Sequence, residues 1–395
     1  MTGRQSARSY LSLVAAMFIA ESARAGIWFT EPVLGLAADF STNPGLLYVH
    51  HTAETHGAVL IDAPTTYQAD AVSLSVQPRV RVSDSSGYSS LASDYAHLSV
   101  VGKIDSERNS FALTSQIARD SSLYQDYGFN GSTGVRRDTE LGDAAWTHVL
   151  TERLKFNLDV NSSRVLYGPS NGFTTLTDYR YTSTAPTLSW NTSERTTLTI
   201  IGSVGLYDSS GGATKSTNIN LEAGFTRQLT ELWSVTANAG YSRETNKIAE
   251  YYGPFLLRTV TSANTGSVFT ANLTRQGRLL AVTAAASRSL VPSGFAFLSR
   301  QDSYQVSVDY PRTERWTFDG HVRWTRSREP QVAGPTVEQS YLDLGLSAAW
   351  LFTEKWTVTL EASRITARYT PPTVNVAANG VTVQLSRRFN RIEWH

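Results

Sequence analysis

Apolar and polar residues alternate strictly through most of this chain, and that period limits what it can fold into. Val72, Leu74, Val76, Pro78, Val80 and Val82 alternate with Ser73, Ser75, Gln77, Arg79 and Arg81. Leu154, Phe156, Leu158 and Val160 alternate with Lys155, Asn157, Asp159 and Asn161. The same pattern runs through Leu198–Leu206, Trp233–Ser242 and Leu342–Trp350. In an extended chain successive side chains point to opposite faces, so a period of two gives strands with one apolar and one polar face. Thr30–Ser41, with Leu34, Leu36, Ala38 and Phe40 on one face, is the expected first strand, and one further strand is expected within Asn43–Pro64.

The connections come in two kinds. Short ones carry a Thr/Ser-Glu-Arg signature at Ser106-Glu107-Arg108, Thr151-Glu152-Arg153, Ser193-Glu194-Arg195 and Thr313-Glu314-Arg315. Variants occur at Thr230-Glu231-Leu232 and Thr353-Glu354-Lys355, and Arg275-Gln276-Gly277-Arg278 is a degenerate copy. Their starts recur every 37–45 residues apart from one gap of 83, which the degenerate copy divides. The connections between them are longer and rich in Gly, Ser, Asn, Asp and Tyr. A hairpin repeat with short turns at one end and long loops at the other is the pattern of an outer-membrane β-barrel. Counting Ala63–Thr66 as a further turn gives eight short turns and 18 strands, or 16 if the chain before Ala71 is a plug or arm. The alternative for such a period is a propeller. Its units hold four short strands, whereas these hold two of barrel-spanning length, and no Gly-His…Trp-Asp signature occurs.

Composition fits a wall that is apolar on one side only. The chain has 395 residues, 35 basic and 34 acidic, with 18 Tyr, 15 Phe and 9 Trp. Balanced charge gives no reason to expect nucleic acid as a partner. Cysteine is absent, which excludes disulfides and thiolate chemistry. Arg4 and Arg8, the apolar run Tyr10–Ala20 and Ala23-Arg24-Ala25 read as a secretory signal cleaved after Ala25, leaving 26–395 as a single barrel. The apolar run is too short to span a bilayer as a helix.

Six tryptophans, Trp146, Trp190, Trp233, Trp316, Trp350 and Trp356, lie within about five residues of a short turn. They are expected to form a belt at one membrane interface, with the ring in lipid and the N–H among the headgroups. Polar positions supply candidates for the lumen. Arg79, Arg81, Lys103 and Lys155 come from the first half of the chain; Asp309, Asp319, His321, Arg323, Asp343 and Glu361 come from the last third. In a closed barrel the two sets face one lumen from adjoining walls. Either they set up a transverse field across a channel, or they pair and fill a wet interior.

Other features carry less. His50, His51 and His56, near Glu54, lack the fixed spacing of a metal site, so neither metal nor cofactor is expected. No Gly-x-Ser-x-Gly occurs, and His148 and His321 lie near short-turn ends or mid-wall, so no enzyme is expected. Tyr124, Asp126, Tyr127, Phe129 and Asn130 in one long connection, and Tyr251, Tyr252 and Phe255 in another, suit either a lid or sugar stacking. Glu244–Thr265 is the one candidate for a long inward-folding loop.

The whole of 26–395 resembles outer-membrane β-barrel porins found with exopolysaccharide systems in Gram-negative bacteria. The resemblance rests on the leader, Leu36–Asn43, Arg119–Tyr124, Gly134–Asp138 and the Thr-Glu-Arg turns. It implies an outer-membrane pore exporting polysaccharide, with outer-membrane lipids, the polysaccharide and periplasmic export components as partners. The alternatives are a general diffusion porin for small hydrophilic solutes and a structural or adhesive barrel with a blocked lumen. One departure is at the end. Such barrels close on an aromatic residue, whereas here the last strand Val381–Phe389 is followed by Asn390–His395, leaving Phe389 or Trp394 for that role.

Overall fold

A computed structural model describes residues 26–46, 52–84, 94–121, 135–168, 176–212, 214–252, 255–329, 337–370 and 373–394. The leader, His50, His51 and the aromatic connection around Tyr124–Asn130 lie outside the described residues. The strands are β1 (Ile27–Thr30), β2 (Val33–Ser41), β3 (Glu54–Asp62), β4 (Thr65–Gln68), β5 (Val72–Ser83), β6 (Tyr95–Asp105) and β7 (Asn109–Ser121). Next come β8 (Arg136–Val149), β9 (Leu154–Tyr167), β10 (Tyr179–Ser193), β11 (Thr196–Ser209), β12 (Thr214–Gln228), β13 (Trp233–Tyr252) and β14 (Phe255–Gln276). The last are β15 (Ala281–Pro292), β16 (Leu298–Pro311), β17 (Trp316–Glu329), β18 (Val337–Thr353), β19 (Trp356–Thr370), β20 (Val374–Arg388) and β21 (Ile392–Trp394).

Every ladder is antiparallel, and neighbours in the barrel are neighbours in sequence. β2 closes the circle on β20 from Val33↔Arg388 to Ser41↔Gly380. β2, β3 and β5–β20 make 18 strands. The three short strands continue the wall below proline or loop breaks. β4 pairs with the first part of β5, β1 pairs with both β4 and β21, and Trp28 stands opposite Trp394. Closure leaves no open edge around the circle, which a barrel in lipid requires.

Two boundaries differ from the sequence expectation. Ala63–Thr66 is not a turn: β3 and β4 both pair with β5, and the chain only kinks at Pro64. Proline offers no N–H to the ladder, and its carbonyl accepts instead from Thr30 Oγ1 at 2.9 Å. The turn lies at Ala69–Ala71, where Ala69 N donates to Val72 O at 2.9 Å. In the same way the first full strand starts at Val33, after a break at Glu31-Pro32.

The turn signature works through its hydroxyl. Thr151, Thr230, Thr313 and Thr353 each accept at Oγ1 the backbone N–H three residues on, at 3.0, 3.1, 3.1 and 3.1 Å. Ser106 does the same for Asn109 at 3.3 Å. In three of these cases the capped residue is the tryptophan that opens the next strand, at positions 233, 316 and 356. A side-chain acceptor of this kind satisfies a donor that the tight turn would otherwise strand.

One face of the wall is uninterruptedly apolar. On β17 it reads Trp316, Phe318, Gly320, Val322, Trp324; on β18 it reads Trp350, Ala348, Leu346, Leu344, Leu342, paired rung by rung. At about 3.3 Å per residue and a tilt of about 40°, Trp316 to Trp324 rises roughly 20 Å, close to the apolar band of a membrane barrel. Leu346 is 70% exposed and Leu221 65%, fractions that only a lipid-facing surface explains at this density. The six turn-end tryptophans all lie on this face by register, and Trp316 stacks on Trp350 with centroids 5.6 Å apart.

Candidate pore lining and constriction

The opposite face is the interior, and contacts between strands far apart in the circle identify it. Tyr207 on β11 donates its hydroxyl to Ser293 O at 2.9 Å, and Thr177 N donates to Gly294 O at 2.7 Å. Ser293 and Gly294 belong to the tip between β15 and β16. Only a hairpin that leaves the wall and leans across the lumen can make both bonds.

The ladders show how the hairpin is released. β14 and β15 pair only from Phe269↔Arg288 down to Gln276↔Ala281. Above that level β14 runs on with β13 alone, and β15 runs on with β16 alone to Pro292↔Leu298. Arg288 Nη1 still reaches Ser267 Oγ at 3.5 Å, and Arg300 Nη2 donates to Thr265 O at 3.3 Å. Leu298 is fully buried with Val165, Tyr179 and Tyr207, and Tyr167, Tyr181 and Leu290 pack around them. Along the path of the hairpin, Ser216, Asn218, Ser242, Glu244 and Asn246 on the inner wall are buried. Ala296 at the tip holds φ at +69°, a conformation that costs an alanine energy and that the surrounding contacts maintain.

The expected inward loop is therefore a different element. Glu244–Thr265 is not a loop: its residues pair across β13 and β14 up to Tyr252↔Phe255. The segment that narrows the lumen is Ser293–Phe297 with the upper ends of β15 and β16.

The lumen candidates fall into two groups. In the upper half, bases are neutralised locally. Arg81 is ion-paired with Asp39, whose Oδ1 accepts from Thr382 Oγ1 at 2.7 Å, and His56 Nε2 lies 3.3 Å from the same carboxylate. Arg79 pairs with Asp62 at 2.9 Å, and Arg137 with Asp120 at 2.8 Å. Arg323 and His321 share Asp343 at 2.8 and 3.6 Å. Nearer the short turns, Lys103 pairs with Asp105 at 2.6 Å. Arg79, Arg81 and Lys103 thus find carboxylates within their own quarter of the wall, and they do not form an array facing the acidic strands.

The lower half is different. Asp143, Asp159, Glu222, Asp309, Asp319 and Glu361 share the inner face, and none has an ion pair among the described residues. Each lies within about six residues of a short-turn end, and together they come from β8, β9, β12, β16, β17 and β19. Asp309 stands directly opposite Asp319, whose Oδ2 accepts from Ser347 Oγ at 3.0 Å. Lys155 and Arg388 are bases on this face without an ion pair among the described residues. Sequence reasoning named Asp309, Asp319 and Glu361 but missed Asp143, Asp159 and Glu222; their alternation with apolar neighbours was the available signal.

The histidines have other surroundings. His56 belongs to the Asp39–Arg81 cluster. His148 lies on the outer face against Trp146, with Nδ1 2.9 Å from Asn109 Oδ1. Among the described residues no group of three His, Cys, Asp or Glu has a metal-holding arrangement.

Fold and lining together define a closed transmembrane β-barrel with a polar interior. No known family profile matches the chain. No curated protein sequence matches it either. Among solved structures the chain is similar to OpdK of Pseudomonas aeruginosa, solved with vanillate, at 14% identity and a TM-score of 0.47, over 93% of this chain and 99% of that one. It is similar to OccAB3 of Acinetobacter baumannii at 9% identity and a TM-score of 0.45, covering 92% and 99%. It is also similar to the unliganded ferric citrate transporter FecA at 7% identity and a TM-score of 0.49, covering 91% and 78%.

Proposed function

We propose that this barrel is an outer-membrane pore of a Gram-negative bacterium that passes small hydrophilic solutes and prefers cations. The observation that carries the reading is the set of six carboxylates on the lower lumen wall that have no ion pair among the described residues, against two such bases, Lys155 and Arg388. Rings of carboxylates on a pore wall concentrate cations and repel anions, because the low-dielectric wall focuses their field. The constriction above is built from backbone, serine and aromatic groups, which suits a filter by size. A hairpin laid across the lumen favours small solutes over a polysaccharide chain. Export of exopolysaccharide, which the family resemblance implies, finds no feature of its own among the described residues.

Planar-bilayer recording of the purified protein tests this. Steady single-channel steps are expected, with a reversal potential of cation sign in a KCl gradient and no interruption by oligosaccharides. A correctly folded barrel that conducts nothing would refute the open pore. Steps that oligosaccharides block would transfer the reading to a saccharide path.

A further inference from the structure

Charge on the outer face follows a different rule from charge in the lumen. Between the turn-end tryptophans and the upper part of the wall the outer face of β8–β12 carries no charged residue among the described residues. Above it comes a row of hydroxyls: Ser162 opposite Thr182, then Thr217 opposite Thr245. One rung higher the row reads Glu140, Arg164, Arg180, Asp208, Lys215, Lys247, each opposite the next across β8–β13. Arg243 lies on the same face of β13, two same-face positions below Lys247 and one below Thr245.

Two features of this row point to a missing anion. Arg164 stands directly opposite Arg180, and Lys215 directly opposite Lys247. Like charges facing each other across a ladder repel and destabilise the sheet. The carboxylates present are already engaged, Glu140 with Arg164 and Asp208 with Lys215, both at 3.9 Å. Arg180, Arg243 and Lys247 are exposed and have no ion pair among the described residues. On the far side of the barrel Arg364 and Arg368 occupy the same face of β19, also exposed and without an ion pair. Among the described residues no unpaired carboxylate accompanies them at this level.

We propose that this outer collar binds the phosphate groups of a phosphorylated lipid in the outer leaflet. The inference rests on the barrel spanning that membrane, not on what its lumen passes. The collar sits just above the apolar band, where a headgroup phosphate lies when the acyl chains cover the leucines below. A guanidinium can grip two phosphate oxygens at once, and an ammonium adds a point charge beside it. A phosphate between Arg164 and Arg180, or between Lys215 and Lys247, turns each repulsive pair into a bridge. A lipid held at both charges and acyl chains would staple β8–β13 together.

The test is thermal unfolding of the intact barrel in neutral detergent, read by its heat-modifiable gel shift. Lipid A is compared with dephosphorylated lipid A and with inorganic phosphate. Lipid A is expected to raise the unfolding temperature and the other two to leave it near the detergent value. In R180Q/R243Q/K247Q the rise is expected to fall by at least half, while single-channel conductance stays that of the parent. R364Q/R368Q, on the opposite arc, gives a second reading should the triple variant fold poorly. Equal shifts from both lipids, or an undiminished shift in both variants, would overturn the proposal. A full shift from inorganic phosphate would overturn the lipid as its source.

Discussion

Asp39 shows how much a single lumen side chain can depend on closure. It accepts from Thr382 on one side and holds Arg81 and His56 on the other, with both Asp39 and Arg81 side chains 12% exposed. Removing the guanidinium leaves a carboxylate that water barely reaches. Arg81→Ala is expected to cost about 3 kcal/mol, the usual range for breaking a buried pair, and denaturant titration of the heat-modifiable form checks it. Tyr207→Phe removes one hydrogen bond and leaves Ser293 O unsatisfied, for about 1 kcal/mol. Its clearer signature is electrical: noisier open-channel current as the hairpin tip loses its tether. At this scale the alternation of the sequence already set Arg79 and Arg81 on the polar face. Their partners were not legible, because Asp39 lies 42 residues from Arg81 and meets it only after β3 has placed β2 two strands away.

The hairpin of β15 and β16 is the element on which the pore depends. Its tip is glycine where it must be: a Cβ on Gly294 would lie 2.6 Å from the Tyr167 hydroxyl. Gly294→Leu is expected to lift the tip off β9–β11 and raise single-channel conductance without unfolding the barrel; unchanged conductance would show that the tip does not limit the current. Nothing in Val291–Gln301 distinguishes it from other loops in sequence, since its burial is decided by tyrosines on β9–β11. Glu244–Thr265 misled in the opposite direction. Its Thr, Ser, Asn and Gly content suggests a loop, but threonine suits a strand well and the register of β13 with β14 carries straight through it. Pro64 misled for a third reason. Proline beside threonines reads as a turn, yet a barrel strand tolerates a proline where its missing donor costs no ladder bond.

Across the whole molecule a net charge of +1 conceals a separation. Unpaired carboxylates line the lower lumen, and unpaired arginines and lysines ring the outside above the apolar band. Cation preference is therefore expected to weaken as salt rises, because the Debye length falls from about 10 Å at 0.1 M to about 3 Å at 1 M. Reversal potentials at the two salt concentrations check this. D309N/D319N/E361Q is expected to remove most of the preference while keeping the barrel, since neutralising Asp309 and Asp319 relieves a like-charge pair. The lipid-facing side of each strand and the chemistry of the short turns were determined by the sequence alone, because each is a local property of period two and turn chemistry. Strand number was left at 18 or 16 by the sequence, and closure of β2 on β20 decided it. Which bases are neutralised, which carboxylates stay free and which hairpin crosses the lumen were decided only by the tertiary structure. Those depend on contacts between strands that chain order leaves far apart and that closure of the barrel brings together.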